Sequence, residues 1–128
     1  MSIKVDVEAL SDTLAKFGSV ALLITVSAAG RPHVVSVQAT IDGGLLRMGL
    51  GRRTAENIRK NPAVTLVWPD GSDDDYCLIV DAHARPLGTA DVLVVEPESA
   101  VLHRLADGTS GLPKCVAVEL GMRGPTRG

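Results

Sequence analysis

Aromatic side chains are nearly absent from this chain, which has one Phe, one Tyr and one Trp among its 128 residues. Proteins that hold single-stranded nucleic acid stack its bases on several aromatic rings, and all nucleic-acid binders use a positive surface to attract the phosphates. The formal net charge is −2, with both signs mixed along the chain. The composition therefore argues against a nucleic-acid partner and predicts an aliphatic core.

Cysteine and long hydrophobic runs are also scarce. Cys77 and Cys115 are too few and too far apart for a disulfide framework or a CxxC site, so we interpret them as free thiols and expect no metal. No apolar run approaches the roughly 18 residues of a membrane span. Residues 1–6 lead into a patterned helix and not into the apolar region of a signal peptide. These features predict a cytoplasmic protein with no membrane partner.

What the chain does contain is a series of short strand patterns. The length suits one domain, which we place at residues 1–120, with residues 121–128 as a loose tail. Helices are predicted near 6–18, 54–61 and 97–106. Strands are predicted at 20–26, 33–41, 44–50, 63–68, 76–88, 90–95 and 115–120. Many strands joined by tight turns predict a mainly β protein, an antiparallel β-barrel with a few short helices.

The first strands carry the clearest local signals. Residues 33–41 alternate, with Val35 and Val37 on one face and Ser36 and Gln38 on the other. The dipeptide Asp42-Gly43 is typical of a tight hairpin turn, because both residues tolerate positive φ. With residues 20–26 these segments predict a three-stranded antiparallel meander that presents polar groups on one face.

A possible anion site follows at Gly51-Arg52-Arg53-Thr54. We expect Thr54 to cap a short helix that Pro62 ends. Backbone N–H groups at a helix start attract anions, and Arg can grip a phosphate with two hydrogen bonds. The alternative is that both arginines are solvated loop residues and Thr54 is only a cap.

The order of these motifs resembles the pyridoxamine 5'-phosphate oxidase-like, flavin-binding split-barrel family. The resemblance rests on the Gly30-Arg31-Pro32 turn, the polar-faced strand, the hairpin, the Arg-rich helix start and the segment from Asn57 to Pro62. It covers about residues 18–80 well and the remainder loosely. It implies an FMN-binding split barrel, antiparallel and Greek-key-like, that forms a homodimer with the cofactor at the subunit interface.

The resemblance also assigns candidate cofactor-binding residues. Arg53 falls on the family's phosphate-binding Arg, Arg52 falls where the family often has Ser, and Thr54 replaces a Lys. This last difference either weakens the site or is compensated by Arg52. The residues that the resemblance places beside the ring system are Val35, Ser36, Val37, Gln38, Met48 and Gly49. Gln38 is the best candidate to hydrogen-bond the ring; the alternative is an exposed polar strand residue.

The implied function is an oxidoreductase that transfers hydride to or from an unknown small molecule. FMN is the expected cofactor, and the phosphate-bearing deazaflavin coenzyme is the alternative because position 54 lacks the Lys. Other possibilities are a flavin- or haem-binding or sensing module without turnover, and a dimeric scaffold without cofactor. No catalytic side chain is identified. Asp81, His83 and Arg85 are expected to share one strand face, either beside a substrate cleft or exposed.

Overall fold

The computed structural model describes residues 2–69, 76–88 and 91–104. Two α-helices lie in these ranges, α1 (Leu10–Leu14) and α2 (Arg52–Lys60), with a 3-10 turn at Val7–Ala9 before α1. The eight described strands are β1 (Ser2–Val5), β2 (Val20–Val26), β3 (Pro32–Gln38), β4 (Thr40–Asp42), β5 (Leu45–Gly49), β6 (Ala63–Trp68), β7 (Cys77–Pro86) and β8 (Val92–His103).

All the described strands belong to one antiparallel sheet, in the order β3-β2-β6-β7-β8-β5-β4, and β1 pairs with the second half of β8. In a flat sheet, strand spacings of about 4.8 Å would separate β3 from β4 by about 29 Å. In the chain, only Ala39 separates these two strands. The sheet must therefore curl until its first and last strands meet, and this curl makes the split barrel.

The concave face of the curled sheet holds the core. Strands β2, β6 and β7 alternate buried with more exposed residues, so one face of each strand packs inward. Leu10 and Leu14 from α1 and Ile58 from α2 join the same cluster. Trp68 is fully buried there, and its indole N–H donates to the Gly18 carbonyl at 3.1 Å, which ties the end of the α1 region to β6. The core is aliphatic around this single indole, as the composition predicts.

The first predicted strands are correct in place but differ in detail. Strand β2 covers the predicted residues, whereas the predicted strand 33–41 is interrupted at Ala39, whose N–H bonds the Ser19 carbonyl at 2.7 Å. Both pairings of the predicted meander are present, β2 with β3 and β4 with β5, but the interruption at Ala39 divides its middle strand and places β3 and β4 at opposite ends of the strand order. The turn prediction is also shifted by one residue. Asp42 pairs with Leu45, so the two turn residues are Gly43 and Gly44, with φ of 60° and 82°.

The helix predicted at residues 97–106 is wrong for its described part, which is strand. Val101 pairs with Ile79 of β7 on one side and with Lys4 of β1 on the other, so both edges of the backbone are used in the sheet. Pro97 fits because β5 pairs only with Val92–Val95 and β1 only with Ala100–His103. Neither β1 nor β5 pairs with Pro97 itself, so on the edge of β8 that these two strands share the missing N–H of the proline costs no hydrogen bond among the described strands.

The N-terminal strand β1 was not predicted, because four residues carry too little periodicity to reveal it. Asp6 does precede the first helical turn, but its side chain makes no capping hydrogen bond. Gly18 ends the α1 region with φ of 84°, as expected. The predicted strand 115–120 and the predicted tail 121–128 lie outside the described residues.

Candidate functional site

The start of α2 is built to attract an anion. Gly51 precedes the helix in an extended conformation, and its carbonyl accepts the first helical hydrogen bond, from Ala55 N–H at 2.9 Å. The first turn carries no acidic residue, and Arg52 and Arg53 are both exposed. No ion pair to a described residue engages either guanidinium. The unpaired N–H groups of the first turn, the positive end of the helix dipole and two arginines therefore coincide.

Thr54 does not cap this helix. Gly51 is the N-cap residue, and Thr54 is the third residue of α2 with only 3% of its surface exposed. Position 54 faces inward because it lies one helical turn before the buried Asn57 and Ile58, on the same side of the helix. A Lys at this position would have to reach past the buried face to hold a surface anion. The cationic character of the helix start therefore comes from Arg52 and Arg53.

A buried hydrogen bond holds α2 against the sheet. Asn57 Nδ2 donates to Thr25 Oγ1 at 2.9 Å, and both residues are buried. Asn57 also accepts a backbone hydrogen bond from Asn61 N–H at the end of the helix. The sequence marks Asn57 only as part of the motif that resembles the split-barrel family. Its side chain positions the whole helix, and with it the arginines, relative to β2.

Strand β3 presents two kinds of polar group toward solvent. Ser36 and Gln38 are exposed on the convex face, whereas Val35 and Val37 point toward the core and are partly buried. The two valines can therefore contact a ligand at this face only through their backbone. Gln38 lies opposite Val20 of β2, so its amide stands beside an exposed apolar side chain.

The backbone of β3 adds a row of hydrogen-bonding groups that the sequence did not reveal. Ala39 N–H bonds the Ser19 carbonyl in register with β2, which makes these two residues a hydrogen-bonded pair. Such pairs alternate along an antiparallel ladder. The N–H and C=O groups of Val34, Ser36 and Gln38 therefore point away from β2, and β3 ends the described strand order on that side.

Of the two predicted cofactor-binding residues on β5, one is buried and the other is exposed. The Met48 side chain is buried in the core opposite Leu93, so it does not line an exposed surface of this chain. Gly49 is exposed on the convex face, and a Cβ placed there would meet nothing within 4 Å. A Cβ placed at Gly51 would likewise meet nothing within 4 Å. The path from β5 into α2 is consequently open for a ligand to approach the backbone closely.

The three residues predicted to share a face of β7 do so. Asp81, His83 and Arg85 are exposed on its convex side. Thr65 Oγ1 donates to Asp81 Oδ1 at 2.7 Å, and His83 Nδ1 contacts Glu98 Oε2. Among the described residues, no group of three or more His, Cys, Asp or Glu side chains could hold a metal ion. Asp81 and His83 thus have structural partners, and Arg85 has no ion pair to a described residue.

Two curated proteins are related to this chain along most of its length. An uncharacterised protein of Mycobacterium bovis and one of Mycobacterium tuberculosis are each 35% identical to it over 120 residues. The match covers 79% of this chain and 81% of each relative. No protein-family model matches the chain. None of the helices in the described ranges is long and apolar enough to cross a membrane.

Solved structures share the fold at lower identity. An F420 reductase matches with a TM-score of 0.54 and 24% identity, over 70% of this chain and 94% of its own. A FAD-binding protein of Mesorhizobium loti matches with a TM-score of 0.63 and 14% identity, over 80% of this chain and 96% of its own. A pyridoxamine 5'-phosphate oxidase-like protein of Listeria innocua matches with a TM-score of 0.56 and 19% identity, over 71% of this chain and 95% of its own. These likenesses confirm the predicted split-barrel fold.

The same fold also occurs in a protein named for haem. A haem storage protein of Vibrio cholerae matches with a TM-score of 0.54 and 18% identity, over 72% of this chain and 92% of its own. Structures of this shape are therefore known from flavin-binding and from haem-binding proteins.

Proposed function

Because the chain belongs to the family of the two mycobacterial proteins and has the split-barrel fold of the pyridoxamine 5'-phosphate oxidase-like proteins, we propose that it is an oxidoreductase that binds a flavin-type cofactor. The cofactor we propose is FMN, with the phosphate-bearing deazaflavin coenzyme as the alternative. The substrate is a small molecule. When bound, such a cofactor supplies a ring that accepts or donates hydride.

The observation that carries the proposal is the start of α2. Arg52 and Arg53 are exposed beside the free N–H groups of the first helical turn, with no acidic residue in that turn to compete. A phosphate is the group that this combination binds best, because it can accept both backbone and bidentate guanidinium hydrogen bonds. Thr54 is buried, so the proposed phosphate contacts belong to the two arginines and the backbone.

The open edge of β3 supports the placement of the ring. The outward-pointing backbone groups of Val34, Ser36 and Gln38, together with the Gln38 amide, provide donors and acceptors of the kind that a flavin's carbonyls and ring nitrogens require. The exposed Gly49 leaves space at the end of the neighbouring β5. In this proposal the protein binds, orients and shields the cofactor, and no side chain is assigned as general acid or base.

We further propose that two copies of the chain form a homodimer around the cofactor. The convex face of β2 and β3 exposes more than half of the surface of Val20 and Val34. Leu22, Ile24 and Val67 lie beside them on the same face and are only partly buried. This apolar surface adjoins Ser36 and Gln38, so a second copy seated on it would cover the ring and exclude water.

Titration of the purified protein with FMN, and separately with the deazaflavin coenzyme, tests the cofactor assignment. We expect saturable binding near one per subunit. Arg53→Ala should weaken FMN binding by about 1.5 to 3 kcal/mol, which corresponds to roughly ten- to 150-fold, because it removes a charge-assisted hydrogen bond. Arg59→Ala, at the other end of the same helix, is the matched control and should leave the affinity unchanged. Equal effects of both variants would contradict the phosphate assignment.

The second candidate function is binding or sensing without turnover, and the haem storage protein of the same fold favours it. The two functions differ in a measurable way. Reduction of the bound cofactor by a nicotinamide donor, coupled to product formation, supports the enzyme. Tight binding of flavin or haem with no turnover supports the module, and a haem titration followed by absorbance separates these ligands.

A further inference from the structure

A row of side chains crosses four strands on the convex face. Thr40 of β4 lies opposite Arg47 of β5, Arg47 lies opposite Val94 of β8, and Val94 lies opposite Arg85 of β7. Directly opposed residues in an antiparallel sheet project from the same face. The row therefore consists of a hydroxyl, a guanidinium, a branched apolar side chain and a second guanidinium.

The spacing of the two arginines suits one shared ligand. Arg47 and Arg85 are separated by two strand intervals, which places their backbones about 10 Å apart. Both side chains are exposed, whereas Val94 between them is only 2% exposed although it lies outside the main core cluster. The arginines thus flank an apolar floor, and each is long enough to lean over it toward the other.

The charges around the row leave both guanidinium groups available. Neither Arg47 nor Arg85 forms an ion pair with a described residue. Two acids lie on the same face, each two residues along its strand from the row: Asp42 on β4, opposite Leu45, and Glu96 on β8, opposite His83. The imidazole of His83 contacts Glu98. Two unpaired positive charges close together repel each other, and an anion bound between them would relieve that repulsion.

We propose that Arg47 and Arg85, assisted by the Thr40 hydroxyl, form a second anion-binding site that is separate from the start of α2. The ligand class is a small molecule that carries a phosphate or carboxylate group. Guanidinium groups bind both through paired hydrogen bonds, and a hydroxyl adds a further donor.

The position of this site connects it to the proposed cofactor cleft. Gly49 follows Arg47 by two residues on the same face of β5, and Thr40 follows Gln38 by two residues across the interruption at Ala39. A ligand anchored at the arginine row would extend over Gly49 toward the edge of β3. The site would then select an anionic substrate for the hydride transfer, and this substrate role rests on the proposed function, whereas the anion binding does not.

Calorimetric titration of the cofactor-free protein at low salt, with inorganic pyrophosphate and with citrate, tests the site directly. We expect saturable binding of at least one anion, and the tighter of the two identifies the ligand class. Arg47→Gln and Arg85→Gln should each lower the affinity of this site at least fivefold, and the double variant should keep only the binding that Arg53→Gln removes. Arg31→Gln removes the same charge from an exposed turn and should change the affinity less than twofold. All four variants should keep the wild-type melting temperature within a few degrees.

Two kinds of result, a failure of specific binding and an assignment to another site, would overturn the inference. One is the absence of saturable binding of either anion by the wild-type protein, or an equal loss in the Arg31→Gln variant, which would show only long-range attraction. The other is loss of pyrophosphate binding in Arg53→Gln with no effect of Arg47→Gln, which would assign the anion to the start of α2. That second result would leave the proposed cofactor function standing, so the failures of the two proposals are distinguishable.

Discussion

Asn57 shows at the level of one residue how the candidate site is held in place. Its amide donates to the Thr25 hydroxyl inside the protein, across the contact between α2 and β2. In a low-dielectric interior such a bond is strong, and a buried polar group that loses its partner is costly. The arginines at the start of α2 therefore depend on a residue near its end.

Replacing Asn57 should destabilise the fold. We expect Asn57→Ala to lower the free energy of unfolding by about 2 kcal/mol, because it removes the bond and leaves the Thr25 hydroxyl unsatisfied. Denaturant unfolding measures this loss. Thr25→Val and the double variant complete a double-mutant cycle, in which a coupling energy of about 1 kcal/mol is expected. Strictly additive losses would mean that the two side chains act independently.

At the scale of elements, the hairpin between β4 and β5 is set by its turn. Gly43 and Gly44 have φ of 60° and 82°, values close to the two central residues of a type I′ turn. This turn matches the right-handed twist of the strands it joins. The register that follows places Arg47 opposite Thr40 on the convex face and Leu46 in the core.

The two turn glycines should respond differently to substitution. Gly43→Asn should change the free energy of unfolding by less than about 0.5 kcal/mol, because Asn tolerates the left-handed conformation near φ of 60°. Gly44→Val should cost more than about 1 kcal/mol, because a β-branched residue at φ near 82° is strained. Thermal unfolding of the two variants side by side checks the order. The reverse order would contradict the observed register.

Strand β8 illustrates how pairing overrides a local pattern. Pro97 suits the first turn of a helix, and Val101, Leu102 and Leu105 have the spacing of one helix face. Pro97, Val101 and Leu102 nevertheless pair with β7 in the sheet. Asp81 pairs with Ser99 while Ala82 pairs with Pro97, so Glu98 is the extra residue of a β-bulge. The bulge shifts the alternation by one residue and keeps both Pro97 and Ala100 in the interior.

For the whole molecule, the curl of the sheet leaves an apolar convex face on β2 and β3. We expect Val34→Glu to shift the protein from dimer to monomer, because it places a charge where the proposed second copy packs. It should also weaken FMN binding at micromolar protein concentration. Analytical ultracentrifugation measures the first effect and FMN titration the second. Ile3→Glu alters an exposed apolar residue on β1 and is the matched control, which should remain dimeric. A monomeric wild-type protein would exclude the dimer.

Local sequence pattern was sufficient to predict a large part of the secondary structure of this molecule. The positions of β2 and β6, a short helix that ends ahead of Pro62 with two arginines at its start, and the general position of the hairpin could all be predicted, because each depends on neighbouring residues in the chain. The resemblance to the split-barrel family followed from their order. The single tryptophan and the abundance of aliphatic residues likewise predicted the kind of core that was found.

Only the tertiary structure decided which side chains meet. Burial of one side of α2 turned Thr54 inward and left Arg52 and Arg53 outside, although the three are consecutive in the chain. Pairing on both edges made Val101 part of a strand, and the interruption at Ala39 placed β3 and β4 at opposite ends of the strand order, where the curl of the sheet brings them together. The row formed by Arg47, Val94 and Arg85 joins distant parts of the chain, so its existence depends on strand order and register, which local sequence pattern does not specify.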